Sequence, residues 1–225
     1  MDRRTFVLLT GGVSSGLIVP PSTALHRPPP SGGAGIGRLR FELDDRRRWS
    51  LWYYGDGAPV PLIRDADVVT WLADRAIGLA DLEDSTVGSR RPPGGDAVVV
   101  RGRAAGVWVE AEFLTAGAAE TPQAVVTVTV FPDRLLPSVK GIRFFQLSES
   151  GVLGGPGPLV ALVNGYHSLD PCRVVAVGAP EAADLASHGA LGLARAGRGL
   201  AIAFDPGEPG EARVHLGPEG LEAAS

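Results

Sequence analysis

The feature that most constrains the fold is an alternation of apolar and polar residues with a period of two, which returns along the chain from residue 38 to residue 217. Residues 38–43, RLRFEL, alternate three charged with three apolar side chains. Residues 106–114 and 124–131 place apolar side chains on one side and mainly glutamate or threonine on the other. Because successive side chains of a β-strand point to opposite faces, this pattern predicts strands with one buried and one solvated face.

Clusters of glycine and proline separate several of these segments, as turns separate the short strands of antiparallel sheets. Such clusters lie at 90–95, 154–157 and 205–210. We predict an all-β fold, an antiparallel β-sandwich of the supersandwich type with one or two short helices. The further predicted strands are 46–55, 97–103, 142–147, 158–163, 172–178, 190–196, 200–205 and 212–217.

Two segments have a spacing that suits helices. Residues 180–188, PEAADLASH, predict a short helix that begins at a proline. Residues 66–84 place Val69, Leu72 and Ala76 near helical spacing, and there the pattern leaves the choice between helix and strand open.

Composition limits the size of the fold and the class of partner. The chain has 225 residues, of which 44% are hydrophobic, enough to bury one sizeable core. A formal net charge of −4 offers no basic face for nucleic acid, and no basic amphipathic stretch would bind a membrane surface. Cys172 is the single cysteine, which excludes an internal disulfide and a cysteine metal cluster. We predict no nucleic acid partner, no membrane contact beyond export, no cofactor and no metal.

The first residues have the character of a targeting signal. Arg3 and Arg4 precede Phe6 and an apolar run, and residues 22–24 are small. This segment is similar to a twin-arginine export signal, which predicts an exported protein, periplasmic or secreted. An ordinary secretory signal is the alternative. The predicted organisation is a signal peptide at 1–24, a Pro/Gly-rich linker at 25–37, a β-sandwich domain at 38–217 and a tail at 218–225.

Residues that could carry chemistry are few. Glu110 and Glu112 lie two apart on one predicted strand face, roughly 6–7 Å from each other, and two carboxylates are what a glycosidase requires. Solvated acids on an exposed strand are the simpler interpretation. His167, Asp170 and Cys172 have the residue types of a metal site, but their spacing does not bring them to one face. No catalytic residue is predicted.

One loop concentrates hydrogen-bonding groups between two predicted strands. Residues 161–172 read ALVNGYHSLDPC, where Asn-Gly favours a tight turn and the neighbouring side chains can bind backbone or a ligand. The candidate carbohydrate- or partner-binding residues are Asn164, Tyr166, His167, Ser168 and Asp170.

The stretch LVNGYHSLDPCRVVAVG resembles the NG-[YW]-x-SW segment in the N-terminal β-supersandwich domain of glycoside hydrolase family 36, the α-galactosidase and raffinose-synthase-like proteins. Residues 128–147 and 186–216 are similar to the strands that flank this segment in the family, and they come in the same order. Leu169 stands where the family has tryptophan. In the family the catalytic aspartates lie on a following barrel, so the resemblance implies no catalytic residue in this sequence.

These observations predict an exported, non-catalytic β-sandwich module that binds a carbohydrate or a partner protein, such as a separate catalytic barrel. One alternative is a fragment or subunit of an α-galactosidase whose barrel lies on another chain. A second alternative is a secreted structural or interaction protein. A domain that has lost its barrel is expected to expose an apolar surface near Tyr166.

Overall fold

The computed structural model describes residues 2–9, 34–36, 39–55, 58–93, 95–117, 122–132, 139–164, 172–183, 185–204, 213–217 and 220–224. Strands account for 69% of the structure. The strands of the described residues are β1 Asp2–Leu9, β2 Ala34–Ile36, β3 Leu39–Leu43, β4 Trp49–Tyr53, β5 Val60–Ala66, β6 Val69–Leu72, β7 Ala76–Gly78, β8 Glu83–Arg90, β9 Gly95–Ala104, β10 Val107–Ala116, β11 Gln123–Pro132, β12 Val139–Leu147, β13 Val160–Val163, β14 Arg173–Ala176, β15 Leu185–His188, β16 Ala190–Arg195, β17 Arg198–Phe204, β18 Arg213–Gly217 and β19 Gly220–Ala224.

Within the described residues the strands form three sheets, and every pairing in them is antiparallel. The largest has nine strands in the order β14-β13-β16-β17-β1-β11-β10-β9-β8. A six-stranded sheet has the order β15-β18-β19-β12-β6-β7, and a four-stranded sheet the order β2-β3-β4-β5. Together these sheets have a ring-like arrangement of four propeller-like blades, so the blades do not correspond one to one with the three hydrogen-bonded sheets. The all-β prediction is therefore confirmed, and the ring is a finer feature than the strand pattern could predict.

The three sheets share one hydrophobic core, with an aromatic cluster at its centre. Trp49 of β4 lies with its ring centroid 5.7 Å from Phe41, 5.9 Å from Phe113 and 6.4 Å from Phe145. All four side chains are buried. The indole N–H of Trp49 donates to the carbonyl of Phe144 at 3.1 Å, so the polar atom of this large side chain is satisfied inside the core.

Two hairpins have the same dipeptide, Ala-Gly, in their turns. Ala105 and Gly106, between β9 and β10, have φ of 49° and 76°, and Ala196 and Gly197, between β16 and β17, have the same two values. Two consecutive left-handed residues form the type I′ turn, whose twist matches that of the flanking strands. Alanine is strained at such a φ and glycine is not, so the register of both hairpins depends on the glycine.

The structure corrects the helix predicted at 180–188 and assigns mainly strands to residues 66–84, where the sequence left the choice open. Residues 66–84 contain β6, β7 and a 3₁₀-helix at Leu79–Asp81, and residues 180–188 contain a 3₁₀-helix at Pro180–Ala182 followed by β15. With Glu149–Gly151, these three-residue turns are the helices of the described chain, and none has the length and apolarity needed to span a bilayer. Strand pairing with β12 and β18 overrides the helical spacing, because it satisfies the backbone while burying the same apolar residues.

Three strands lie in segments outside the predicted domain of residues 38–217. Strand β1 lies in the predicted signal, β2 in the predicted linker and β19 in the predicted tail. Strand β19 pairs with both β12 and β18, and β2 pairs with β3. The sheets therefore use residues at both ends of the chain.

Candidate functional site

The structure describes one of the five residues predicted for the binding loop. Tyr166, His167, Ser168 and Asp170 lie outside the described residues, and Asn164 lies at the end of β13 where the loop begins. The described part of the loop is therefore its base, at Asn164.

Asn164 ties the base of the loop to a neighbouring strand. Its backbone N–H donates to Oγ of Ser187 at 2.7 Å, and that buried hydroxyl donates in turn to the carbonyl of Ala190 at 2.5 Å. The side-chain amide donates to the carbonyl of His188 at 3.0 Å, and its oxygen accepts from Sγ of Cys172 at 3.6 Å. Because both ends of the amide have a partner within the protein, Asn164 anchors the loop rather than offering its amide to a ligand.

Next to this base, the outward face of four strands in the nine-stranded sheet carries only aliphatic residues and glycine, and we call it the uncharged face. Its largest members, Leu162 and Val174, are 50% and 71% exposed. The residues that β13, β14, β16 and β17 place there are Val160, Leu162, Val174, Ala176, Ala190, Gly192, Ala194, Gly199, Ala201 and Ala203.

The opposite face of the same strands is apolar as well along its middle, with arginines only at strand ends, Arg173, Arg195 and Arg198. Val163, Leu193 and Ile202 point inward and are almost completely buried. An antiparallel sheet commonly has one polar, solvated face. When the outer face is apolar too, we expect another protein surface to pack against it. This surface adjoins the base of the loop at Asn164, whereas the apolar patch predicted near Tyr166 lies at a residue outside the described part of the chain.

The uncharged face has a ridge on one side and a shallow strip on the other. A cross-strand row runs from Val174 to Leu162, then to Gly192 and Ala201. A Cβ atom at Gly192 would lie 3.4 Å from Cβ of Leu162, which is close van der Waals contact, so the glycine makes the surface lower directly beside Leu162. The ridge is therefore formed by the larger residues of β13 and β14, and the strip by the alanine and glycine residues of β16 and β17.

The other half of the nine-stranded sheet has a charged outer face. Nε of Arg90 donates to Oε1 of Glu112 at 2.8 Å, and this hydrogen bond raises the pKa of the Arg90 guanidinium. Nε of Arg101 lies 4.0 Å from Oε2 of Glu110, and its guanidinium carbon lies 5.2 Å from the ring centre of Trp108. Glu110 therefore faces Arg101 on the neighbouring strand β9, and Glu112 contacts Arg90 on β8, one strand further along the sheet, so both acids belong to a solvated set of cross-strand ion pairs.

A polar cleft of about 310 Å³ opens elsewhere on the molecule, where β5 meets the end of β12. Two exposed arginines, Arg48 and Arg64, line it, and neither forms an ion pair with any described residue. Asp65 has a left-handed φ of 56° in a β-bulge, and its N–H donates to Oγ of Ser50 at 3.1 Å. The lining residues are Arg48, Arg64, Asp65, Gln146, Leu147, Ser148, Ser150 and Gly151.

The chemistry of this cleft is that of binding. Two guanidinium groups suit an anionic group such as a carboxylate, while the amide of Gln146 and the hydroxyls of Ser148 and Ser150 suit hydroxyl groups. Among the described residues that line the cleft, Asp65 is the one carboxylate, and no second acid is present there to complete a hydrolytic pair. Across the described part of the chain, no three His, Cys, Asp or Glu side chains form a group that could hold a metal ion.

The residues of these two surfaces were not predicted from the sequence, for different reasons. The uncharged face had a signal, since the alternate residues of 190–195 and 199–203 are alanine or glycine where a solvated strand would carry polar side chains. The cleft had none, because Arg64 and Gln146 lie far apart in the chain and meet only in the folded protein.

The chain matches no protein-family model, no curated protein and no solved structure. The resemblance to the N-terminal domain of glycoside hydrolase family 36 therefore stays a prediction.

Proposed function

We propose that this chain is a non-catalytic docking module, of the kind implied by its resemblance to the α-galactosidase N-terminal domain, and that it acts by covering its uncharged face with protein. The observation that carries this proposal is an antiparallel sheet with aliphatic residues on both faces. Aromatic rings or convergent polar groups would be expected at a sugar site, and this face has neither.

The size of the uncharged face favours a partner that binds reversibly. Four strands about 4.8 Å apart, each contributing about five residues, give a flat area on the order of 300 Å². Stable complexes bury about 800 Å² on each partner. The uncharged face alone is thus large enough for a functional patch and too small for a permanent interface.

The partner to which the face is best matched is a second copy of the chain. A two-fold axis parallel to the strands, between ridge and strip, would place Leu162 and Val174 of one copy over Gly192 and Ala201 of the other. Such an interface is self-complementary, as two-fold dimers require. The absence of charge on the face removes the repulsion that two identical charged surfaces would suffer.

Replacing Leu162 by glutamate is expected to weaken self-association of the full chain at least tenfold, because the new carboxylate would be buried without a partner. Sedimentation equilibrium over a range of concentrations measures the change. The matched control is Val87→Glu, since Val87 is 52% exposed on β8 at the other end of the same sheet. That variant should self-associate like the parent.

Two results would oppose this proposal in different ways. A parent chain that stays monomeric at high concentration would remove the second copy as the partner; binding to a separate α-galactosidase barrel, abolished by Leu162→Glu, would then identify the barrel instead. Hydrolysis of a nitrophenyl α-galactoside by the purified chain would show that the module is catalytic.

A second candidate function, carbohydrate binding, is favoured by the two arginines of the polar cleft. We expect an acidic sugar such as galacturonate to bind there and to raise the melting temperature, since ligand at 100 times its dissociation constant stabilises by about 2.7 kcal/mol. Galactose, which lacks the carboxylate, should give a much smaller shift. Arg64→Gln should abolish the difference between the two sugars.

The control for that measurement is Arg46→Gln, which removes an exposed arginine near Arg48 that does not line the cleft. Equal shifts with galacturonate and galactose, or equal losses in the two arginine variants, would speak against an anionic sugar in the cleft.

A further inference from the structure

Strand β1 lies in the middle of the nine-stranded sheet, although its residues belong to the segment that resembles an export signal. All eight of its residues pair with β11, from Asp2 opposite Val130 to Leu9 opposite Gln123. Four of them, from Phe6 opposite Phe204 to Leu9 opposite Ala201, pair with β17 as well. In the strand order, β1 is the one connection between β11 and β17.

The two strands that flank β1 differ from ordinary edge strands. Val126 and Val128 of β11 and Ile202 of β17 are at most 1% exposed, so both flanks belong to the core. If residues 1–24 were removed, as the sequence predicts, two facing rows of backbone N–H and C=O groups would lose their partners at a buried position. A gap of this kind presents hydrogen-bonding edges on both sides, where an edge strand presents one.

We propose that the gap between β11 and β17 is a strand-binding slot, which takes an extended segment of eight residues with an apolar C-terminal half. Residues 2–9 are its occupant. The segment Phe6–Leu9 is held from both sides, whereas Arg3 and Arg4 lie in the half that β11 alone holds. Backbone pairing on two sides supplies the affinity, as in other cases of strand addition to a sheet.

The division of the segment has a consequence for its two roles. The arginine pair that resembles the export signal lies at the weakly held end, and the four residues FVLL lie at the strongly held end. The same segment therefore completes the sheet and carries the predicted export signal. Cleavage after Ala24 would leave the slot free to bind another extended segment with an apolar C-terminal half. This inference depends on the sheet and not on the uncharged face.

The test uses the full chain with a protease site placed within residues 25–33, between β1 and β2. After cleavage of the folded protein, the N-terminal fragment is expected to co-elute with the remainder in size-exclusion chromatography. A labelled peptide of residues 2–9 should replace it over time. A peptide carrying Val7→Pro, which removes a backbone N–H in the doubly held half, should exchange at least tenfold less well. A peptide carrying Arg3→Ala and Arg4→Ala should exchange like the parent peptide.

Immediate separation of the fragment from the folded remainder would overturn the proposal, and so would equal exchange of the proline and parent peptides. Hydrogen exchange supplies a second measurement on the full chain. Val7→Pro should raise the exchange rates of β11 and β17 amides at least tenfold, and added parent peptide should restore protection. Unchanged rates in that variant would also refute the slot. Leu162→Glu should leave all these results unchanged, so failure here is distinguishable from failure of the docking proposal.

Discussion

Replacing Trp49 by alanine is expected to lower the free energy of unfolding by about 3–5 kcal/mol, the cost of truncating a fully buried aromatic side chain. The ring lies within 6.4 Å, centroid to centroid, of Phe41, Phe113 and Phe145, which come from three other strands. Loss of the indole would also remove its hydrogen bond to the carbonyl of Phe144, at a cost of about 1 kcal/mol more. Domains of ordinary stability have about 5–15 kcal/mol in total, so this variant should be largely unfolded at modest urea concentrations.

Urea denaturation followed by tryptophan-independent far-UV circular dichroism measures this change. Trp49→Phe is the control that separates packing from hydrogen bonding, because it keeps an aromatic ring and removes the donor. Its loss should be clearly smaller than that of Trp49→Ala. A loss below about 1 kcal/mol for the alanine variant would mean that the aromatic cluster is not the centre of the shared core.

The second large effect is expected at Arg195, a buried arginine on β16 whose side chain is 4% exposed. One terminal nitrogen donates to the carbonyls of Glu149 and Val152 at 3.1 and 3.0 Å, and the other donates to the carboxylate of Glu149 at 2.5 Å. That carboxylate also accepts the N–H of Leu159 at 3.2 Å. Arg195→Met should lower the free energy of unfolding by about 3 kcal/mol, because it removes these hydrogen bonds and leaves the buried carbonyl of Val152 without this donor, whereas the carbonyl of Glu149 keeps the N–H of Val152 at 3.3 Å.

Glu149→Gln tests which part of this contact matters. The amide can still accept from Arg195 and from Leu159, and the glutamate side chain is 41% exposed, so solvent screens the lost charge. Its loss should be about 1 kcal/mol. Arg173→Met, at an exposed arginine on β14, should change stability by less than about 0.5 kcal/mol. If Glu149→Gln and Arg195→Met lowered the free energy of unfolding equally, the ion pair, and not the hydrogen bonds to the carbonyls, would be what stabilises the turn around Glu149.

The strands could be predicted because their signal is local. Residues 106–114 alternate in sequence, and Val107, Val109, Ala111 and Phe113 of β10 are buried in the structure while their neighbours are partly exposed. The predicted helix at 180–188 was wrong beyond its first residues for the opposite reason. Leu185 to His188 pair with β18, a partner more than twenty residues later in the chain, and local spacing carries no information about such a partner.

The candidate sites divide in the same way. The loop at 161–172 was visible as a concentration of polar residues, and Asn164 proves to anchor its base. The ion pairs that occupy Glu110 and Glu112 could not be predicted, because Arg90 and Arg101 reach them across strand pairings. The polar cleft likewise requires β5 and β12 to come together.

The sequence by itself determined that this chain forms antiparallel sheets, because period-two alternation is a property of neighbouring residues and of the pleat they must follow. Tertiary structure alone decided which face of those sheets lacks polar residues across four strands, and that residues 2–9 complete the largest sheet. The physical reason is that a row of side chains across a sheet, or a gap between two strands, is created by hydrogen bonds between distant segments, and no single segment contains it.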